Sequence, residues 1–193
     1  MTSRKEGAVV LPVIAIDGTS LYFMSIPPRD EDVGKKIESV VGRINEKGLR
    51  KVGGSGLPGG AREENQSLEE AAVEEWLQET AGNGLPGVVI TDILSRLAPV
   101  LTDVYVYQER PAPTDFDVSL FILRLNEDER DEMMLRGAEL AILDIMTGQV
   151  YSGVDGSDLD FRPVHGDLLY YFSAIANQFS HVLEGSYEEV NTN

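Results

Sequence analysis

Five glycines, Gly53, Gly54, Gly56, Gly59 and Gly60, fall within eight residues of one another, with Pro58 among them. So dense a run predicts a loop whose backbone approaches something closely or takes positive φ. Directly behind it, Ser67-Leu68-Glu69-Glu70 fits a capping box, with Ser67 as N-cap and Glu70 three residues on. The spacing predicts a helix running to about Ala81, where Gly82-Asn83-Gly84 would stop it. At about 100° per residue, Ala72, Val73, Trp76, Leu77 and Thr80 form one arc of that helix. Glu74, Glu75, Gln78 and Glu79 fall on the other, together with Ala71.

Glu75 and Glu79 stand four residues apart and are neighbours on the helix surface. Like charges at that spacing destabilise a helix by about 0.2–0.5 kcal/mol. A hard divalent cation such as Mg²⁺ turns the repulsion into coordination, taking one or two carboxylates from protein and the rest of its shell from water and substrate phosphate. The preceding glycine loop can offer backbone N–H groups to an anion, and the helix N-terminus adds its dipole. By default an acidic helix face is only a solvated face, and a glycine-rich loop only a turn. Loop, cap, apolar back and paired carboxylates in succession make a more specific signal.

The rest of the chain reads as alternating strands and helices. Ala8–Ile16 and Leu21–Ile26, joined across Asp17-Gly18, predict a hairpin that Pro27-Pro28 ends. Val33, Ile37, Val40, Val41 and Ile44 recur at helical spacing, predicting a short helix near Asp32–Glu46, within an insert of about residues 29–51. Val88–Leu97, Val100–Gln108 and Val118–Leu125 read as strands, Asn126–Glu132 as an acidic loop, Leu140–Ile145 as a strand and Asp167–Leu183 as a final helix. A single α/β domain over residues 1–185, with a mixed sheet between helices and a polar tail at 186–193, is expected.

Composition narrows the partners. With 33 acidic against 16 basic residues the formal net charge is −17, which argues against nucleic acid held by its phosphates and against anionic membranes. No apolar run reaches the ~18 residues of a membrane span, and no signal peptide is recognised, so a cytoplasmic location is expected. Cysteine is absent, which removes disulfides and thiolate chemistry. His165 and His181 have no His or Cys company and read as surface or capping residues. Nearly half the positive charge lies between residues 29 and 51; Arg50 and Lys51, beside the glycine loop, could form a phosphate-facing lid.

The stretch from Leu57 to Gly82 resembles the Nudix box. Gly60 takes the leading Gly, Glu75 matches a conserved-pattern Glu, Trp76 the apolar position and Glu79 the last of the paired Glu. Gln66, Glu74, Gln78 and Ala81 stand where the pattern has Glu, Arg, Glu and Gly. The direct match covers about an eighth of the chain, and the strand order on either side is compatible with a Nudix-like α/β/α sandwich. The resemblance implies Mg²⁺ or Mn²⁺ held through Glu75, Glu79, Gln78 and Gly60, with Glu75 and Glu79 as the catalytic carboxylates. Gly59, Gly60, Arg62, Arg50 and Lys51 would contact the substrate. Gln66 and Glu74 cannot form the ion pair that braces the box; they could share a hydrogen bond, or Arg62 could serve Glu74 instead.

The implied activity is metal-dependent hydrolysis of the pyrophosphate bond of a nucleoside diphosphate linked to another moiety. A base would come from Glu127–Glu132 or Glu139, and Tyr105, Tyr107 or Phe121 could stack on a nucleobase. The alternative is a Nudix-fold module, impaired in catalysis, that binds a nucleotide or a protein partner. A homodimer is left open.

Overall fold

The computed structural model describes residues 4–28, 36–38, 49–51, 54–81, 90–108 and 114–184. Its organising element is β1 (Lys5–Asp17), whose interior residues are buried from Gly7 to Ala15. A strand covered on both faces needs apolar residues at every position rather than at alternate ones, and Ala8–Ile16 supplies them. Val9, Leu11 and Val13 enter one core and Ala8 and Val10 the other. A register shift between Val13 and Ala15 breaks this alternation, so that Ile14 and Ala15 both join the second core.

β1 pairs in parallel with β7 (Thr114–Arg124) along one edge. Along its other edge it pairs antiparallel first with β5 (Gly59–Ala61) and then with β2 (Ser20–Ser25). Pro12, which has no N–H to give, lies between the two stretches, after the Val10 amide bonds to the Pro58 carbonyl and before the pairing of Val13 with Phe23. The sheet runs β6 (Ala98–Gln108), β7, β1, β2, β8 (Glu139–Asp144), β9 (Val150–Ser152), with β5 beside β1. Two short strands, β3 (Lys36–Glu38) and β4 (Leu49–Lys51), pair with each other apart from it.

Helices cover both faces. The apolar arc of α1 (Leu68–Trp76) brings Ala72, Val73 and Trp76 onto the Ala8–Val10 face, joined by Ile93 of α2 (Ile90–Arg96) and Met133 of α3 (Glu127–Leu135). Leu168, Leu169 and Phe172 of α4 (Pro163–Ile175) and Leu183 of α5 (Ser180–Leu183) close the opposite face against Val9, Leu11 and Phe23. The result is the expected α/β/α sandwich about a mixed sheet. Among the described residues no helix is long and apolar enough to cross a membrane.

Four local expectations change. Val88–Leu97, expected as a strand, contains α2; Ile93, Leu94 and Leu97 meet one core because they lie within one helical turn of each other. The acidic loop Asn126–Glu132 is largely α3, started by a capping box in which the Glu129 amide donates to Asn126 and the Asn126 amide to the Glu129 carboxylate. Within the expected helix near Asp32–Glu46, residues 36–38 are a strand, Ile37 opposite Arg50; the remainder of that expectation lies outside the described residues, as does the 186–193 tail. The final helix begins earlier, at Pro163, whose fixed φ suits a first helical position. It gives way to a 3₁₀ turn over Ala176–Phe179 before α5.

Candidate functional site

The glycine run works by close approach. None of Gly54, Gly56, Gly59 and Gly60 has positive φ, and Gly59 and Gly60 form β5 rather than a loop. A Cβ on Gly54 would lie 2.5 Å from the Phe161 carbonyl carbon, and one on Gly59 2.8 Å from the Ala8 carbonyl oxygen and Val9 Cγ2. A Cβ on Gly60 would land on the Glu75 carboxylate. The segment is fastened on both sides. Ser55 donates to the Asp160 carbonyl and accepts from the Arg162 amide, and Ile26 and Gly56 exchange hydrogen bonds.

α1 delivers the carboxylates. Its capping box is formed as expected, Glu70 N–H donating to Ser67 Oγ and Ser67 N–H to the Glu70 carboxylate. Ala71, assigned by its angle to the polar arc, is buried with the apolar one, so that the buried stripe is one residue wider. After Trp76 the backbone widens into a π-turn over Leu77–Ala81, a geometry that recurs at functional sites and moves Glu79 relative to a regular helix. Glu79 accepts a hydrogen bond from the Gly59 amide at 3.2 Å. Both carboxylates of the Glu75–Glu79 pair therefore converge on Gly59-Gly60. Burial, then the charges of Glu79 and Glu74, push the Glu75 carboxyl above the usual carboxylate range.

The strand register adds a second property. Val10–Pro58 and Glu6–Arg62 are hydrogen-bonded partners of β1 and the β5 segment, so Ala8–Gly60 between them is one too. Gly59 and Ala61 then turn their amides to the other edge of β5, where Glu79 meets that of Gly59.

The positions that depart from the box form a network of their own. Gln66 Nε2 donates to Glu74 at 2.6 Å and Gln78 Nε2 donates to the same carboxylate at 2.8 Å. The Gln66–Glu74 brace is thus a hydrogen bond, and Arg62 does not serve Glu74: it pairs with Glu6 and donates to the Gln66 carbonyl at 2.8 Å. Glu63, Glu64, Glu70, Glu74 and Gln78 border an open cleft beside the helix.

Other expected residues lie differently. Glu129 is buried, and its carboxylate accepts from Arg96 at 2.5 Å and from the Asn126 amide, which ties α2 to α3. Glu139 is exposed at the start of β8. Phe121 is sealed in the core, and Tyr105 donates to Asp115 beneath the Arg4 guanidinium. Arg50 and Lys51 lie on β4, and their side chains, like that of Tyr107, are outside the described residues. His181 is exposed.

His165 is not a surface residue. It is buried, and its Nδ1 accepts from the Leu57 amide at 2.9 Å. Burial, with the Arg162 charge, lowers its pKa to about 3, so the ring is neutral. Sequence reading missed it because its partner is 108 residues away. The signal available was Pro163 two residues earlier, which opens a helix and turns His165 inward on its first turn. Arg162, missed for the same reason, lays its guanidinium across Gly56.

The donor set suits a hard cation: two carboxylates meet Gly59 and Gly60, which bring no side chains, and burial followed by the neighbouring Glu79 and Glu74 charges raises the Glu75 pKa. Among the described residues no three His, Cys, Asp or Glu side chains gather as a metal-binding group.

No protein-family model matches the chain, and no curated protein matches it. Solved structures do. A Nudix hydrolase from M. smegmatis, RenU, is 15% identical with a TM-score of 0.47, the match covering 92% of this chain and 90% of that one. A MutT/nudix family protein from Enterococcus faecalis is 13% identical with a TM-score of 0.49, covering 100% and 69%. NrtR of Shewanella oneidensis is 13% identical with a TM-score of 0.52; the match covers 92% of this chain, which spans 65% of the length of NrtR. The chain has the Nudix fold, and the resemblance seen in residues 57–82 extends to the whole sandwich.

One expectation is overturned. NrtR has been crystallised with a 27mer DNA, so a protein of this fold holds nucleic acid, and the exclusion of nucleic acid drawn from the net charge is withdrawn. Net charge sums the whole surface, whereas a phosphate backbone responds to a local patch.

Proposed function

We propose that the chain is a Nudix-type hydrolase that cleaves, with Mg²⁺ or Mn²⁺, the pyrophosphate bond of a nucleoside diphosphate linked to another moiety. The observation that carries this reading is the convergence of Glu75 and Glu79 on Gly59-Gly60, where a Gly60 Cβ would displace the Glu75 carboxylate. Glu75 and Glu79 would hold the cation, with Gln78 offering a neutral amide oxygen once its amide turns. When bound, such an ion polarises the phosphoryl oxygen and orients an attacking water. Along the edge of β5 away from β1, which pairs with no other strand among the described residues, the Gly59 amide holds Glu79 and the Ala61 amide faces outward, and a diphosphate would lie there. The absence of a Cβ at Gly59 and Gly60 would let it approach the carboxylates.

The second reading, a module that binds without hydrolysis, is favoured by one observation: Gln66 and Gln78 both donate to Glu74, so that three altered positions support each other without any cation. Incubation of the purified protein with Mg²⁺ or Mn²⁺ and nucleoside diphosphate sugars, dinucleotides and nucleoside triphosphates separates the two. Turnover lost in Glu79→Gln is the expected result; binding without turnover across the panel would replace the enzyme with the module.

A further inference from the structure

The segment from Ser55 to Gly60 keeps one alternation along its length. Ser55, Leu57 and Gly59 turn their amides to one edge, where they meet in turn the Asp160 carbonyl, His165 Nδ1 and the Glu79 carboxylate. Gly56, Pro58 and Gly60 face the other edge, toward Ile26, Val10 and Ala8. The two faces alternate in the same way. Leu57 enters the core that α4 covers, and a Cβ on Gly59 would strike Val9 of that core. Gly56 and Gly60 therefore share the opposite face. There a Cβ on Gly60 would land on the Glu75 carboxylate, and one on Gly56 would lie 3.1 Å from Cζ and Nε of Arg162. The Arg162 guanidinium thus stands over the face that carries the carboxylates, with Gly56 and Gly60 at most about 14 Å apart.

That guanidinium lacks a counter-ion. Arg4, Arg62, Arg96, Arg130 and Arg136 each hold a carboxylate. Arg162 is half-buried, and among the described residues its guanidinium forms neither an ion pair nor a side-chain hydrogen bond. No acidic residue stands in the first turn of α4 beside it. The chain has 33 acidic residues against 16 basic ones, so carboxylates are plentiful, and a partly desolvated cation left without one is costly. Such a cation is paired when an anion arrives from outside.

We propose that Arg162 is a specificity-determining residue that binds an anionic group, phosphate or carboxylate, carried by the substrate beyond its scissile diphosphate. The inference rests on the hydrolase reading for the position of the diphosphate. It deepens that reading by naming the substrate class, a nucleoside diphosphate derivative with a further anionic group about one sugar ring away. One ring and its linkages cover the gap once the metal ion and the guanidinium have each taken their own contact distance. The planar fork of a guanidinium matches both phosphate and carboxylate with two parallel hydrogen bonds.

The test is calorimetric titration of the full chain in Ca²⁺, a hard cation that takes oxygen ligands, with hydrolysis in Mg²⁺ or Mn²⁺ followed separately. The probes are two matched pairs: UDP-glucuronate against UDP-glucose, which differ by a carboxylate, and NADP against NAD, which differ by a phosphate. The wild type should bind the more anionic member roughly tenfold more tightly in at least one pair, and which pair it is tells carboxylate from phosphate. Arg162→Gln, which keeps a polar stem over Gly56 and removes the charge, should bind both members of that pair alike. Arg162→Lys keeps the charge without the fork and should retain part of the preference. Gly56→Ala, whose methyl group would push the guanidinium aside, should reduce the preference severalfold and serves if Arg162→Gln does not fold. Equal affinities within both pairs for the wild type, a preference that persists in folded Arg162→Gln, or no binding of any of the four would overturn the proposal. A preference lost in Arg162→Gln without hydrolysis of any probe would remove the catalytic reading and leave the anion site standing. Hydrolysis with the ratio of KM values in each pair unaltered by Arg162→Gln would do the opposite.

Discussion

At the scale of single residues, the chain sets two titratable groups against their solution behaviour, with opposite consequences for stability. The Glu75 pKa is raised on folding, so the native state favours the protonated acid. Its contribution is present at low pH and is lost as pH rises from the ordinary carboxylate value through the raised one. Glu75→Gln should accordingly melt with the wild type near pH 4 and above it at pH 8, the gap closing when Mn²⁺ is added to the wild type. An equal gap at both pH values would contradict the crowding of carboxylates at this point. His165 runs the other way: its folded pKa of about 3 lies below the ordinary 6.5, so its contribution is present above about pH 6.5 and is lost as pH falls toward 3. Compared with His165→Asn, the wild type should lose up to about 1.4 kcal/mol per pH unit across that range in denaturant titrations. Parallel acid limbs would mean that the ring is not sealed. Neither behaviour was legible in the sequence. Glu75 and Glu79 were recognisable as a pair from their spacing alone, but the burial that shifts Glu75 comes from β5, and the burial of His165 from residues a hundred positions away.

At the scale of elements, whatever is encoded locally was readable and whatever depends on a distant partner was not. The capping box at Ser67–Glu70 announced α1, and the same device at Asn126–Glu129 announces α3, where a run of acidic residues masked it. α2 was mistaken for a strand because a seven-residue stretch with Ile90, Thr91, Ile93 and Leu94 satisfies either period until a core face is chosen for it. The π-turn over Leu77–Ala81 has no sequence signature. The tie between α2 and α3 is the ion pair of Arg96 with the buried Glu129, whose carboxylate also caps Asn126. Arg96→Ala strands that carboxylate and should cost about 3–5 kcal/mol in chemical denaturation, whereas the exposed Arg136–Glu132 pair should cost less than about 1 kcal/mol. Equal costs would place the Arg96 pair among ordinary surface contacts. On β5, Gly60→Ala should remove most of the thermal stabilisation given by Mn²⁺, because its methyl group takes the place of the Glu75 carboxylate; full retention would show that the carboxylate reaches a cation by another route.

At the scale of the whole molecule, two cores on either side of one mixed sheet place α1 against the Ala8–Val10 face and α4 against the other. The α/β/α architecture was legible because β1 is apolar without interruption, as a doubly covered strand must be, and because the helices alternate with strands along the chain. Net charge was a poorer guide at this scale. It is an average over the surface, and its use to exclude nucleic acid did not survive the NrtR–DNA structure. The central claim is local and can be tested as such: Glu75 and Glu79, pressed onto Gly59-Gly60, hold a divalent cation. The direct measurement is a Mn²⁺ titration of the wild type and of the double variant Glu75→Gln/Glu79→Gln, followed by electron paramagnetic resonance of the free ion. Saturable binding that the double variant loses while remaining folded is the predicted result; identical isotherms for the two proteins would contradict it.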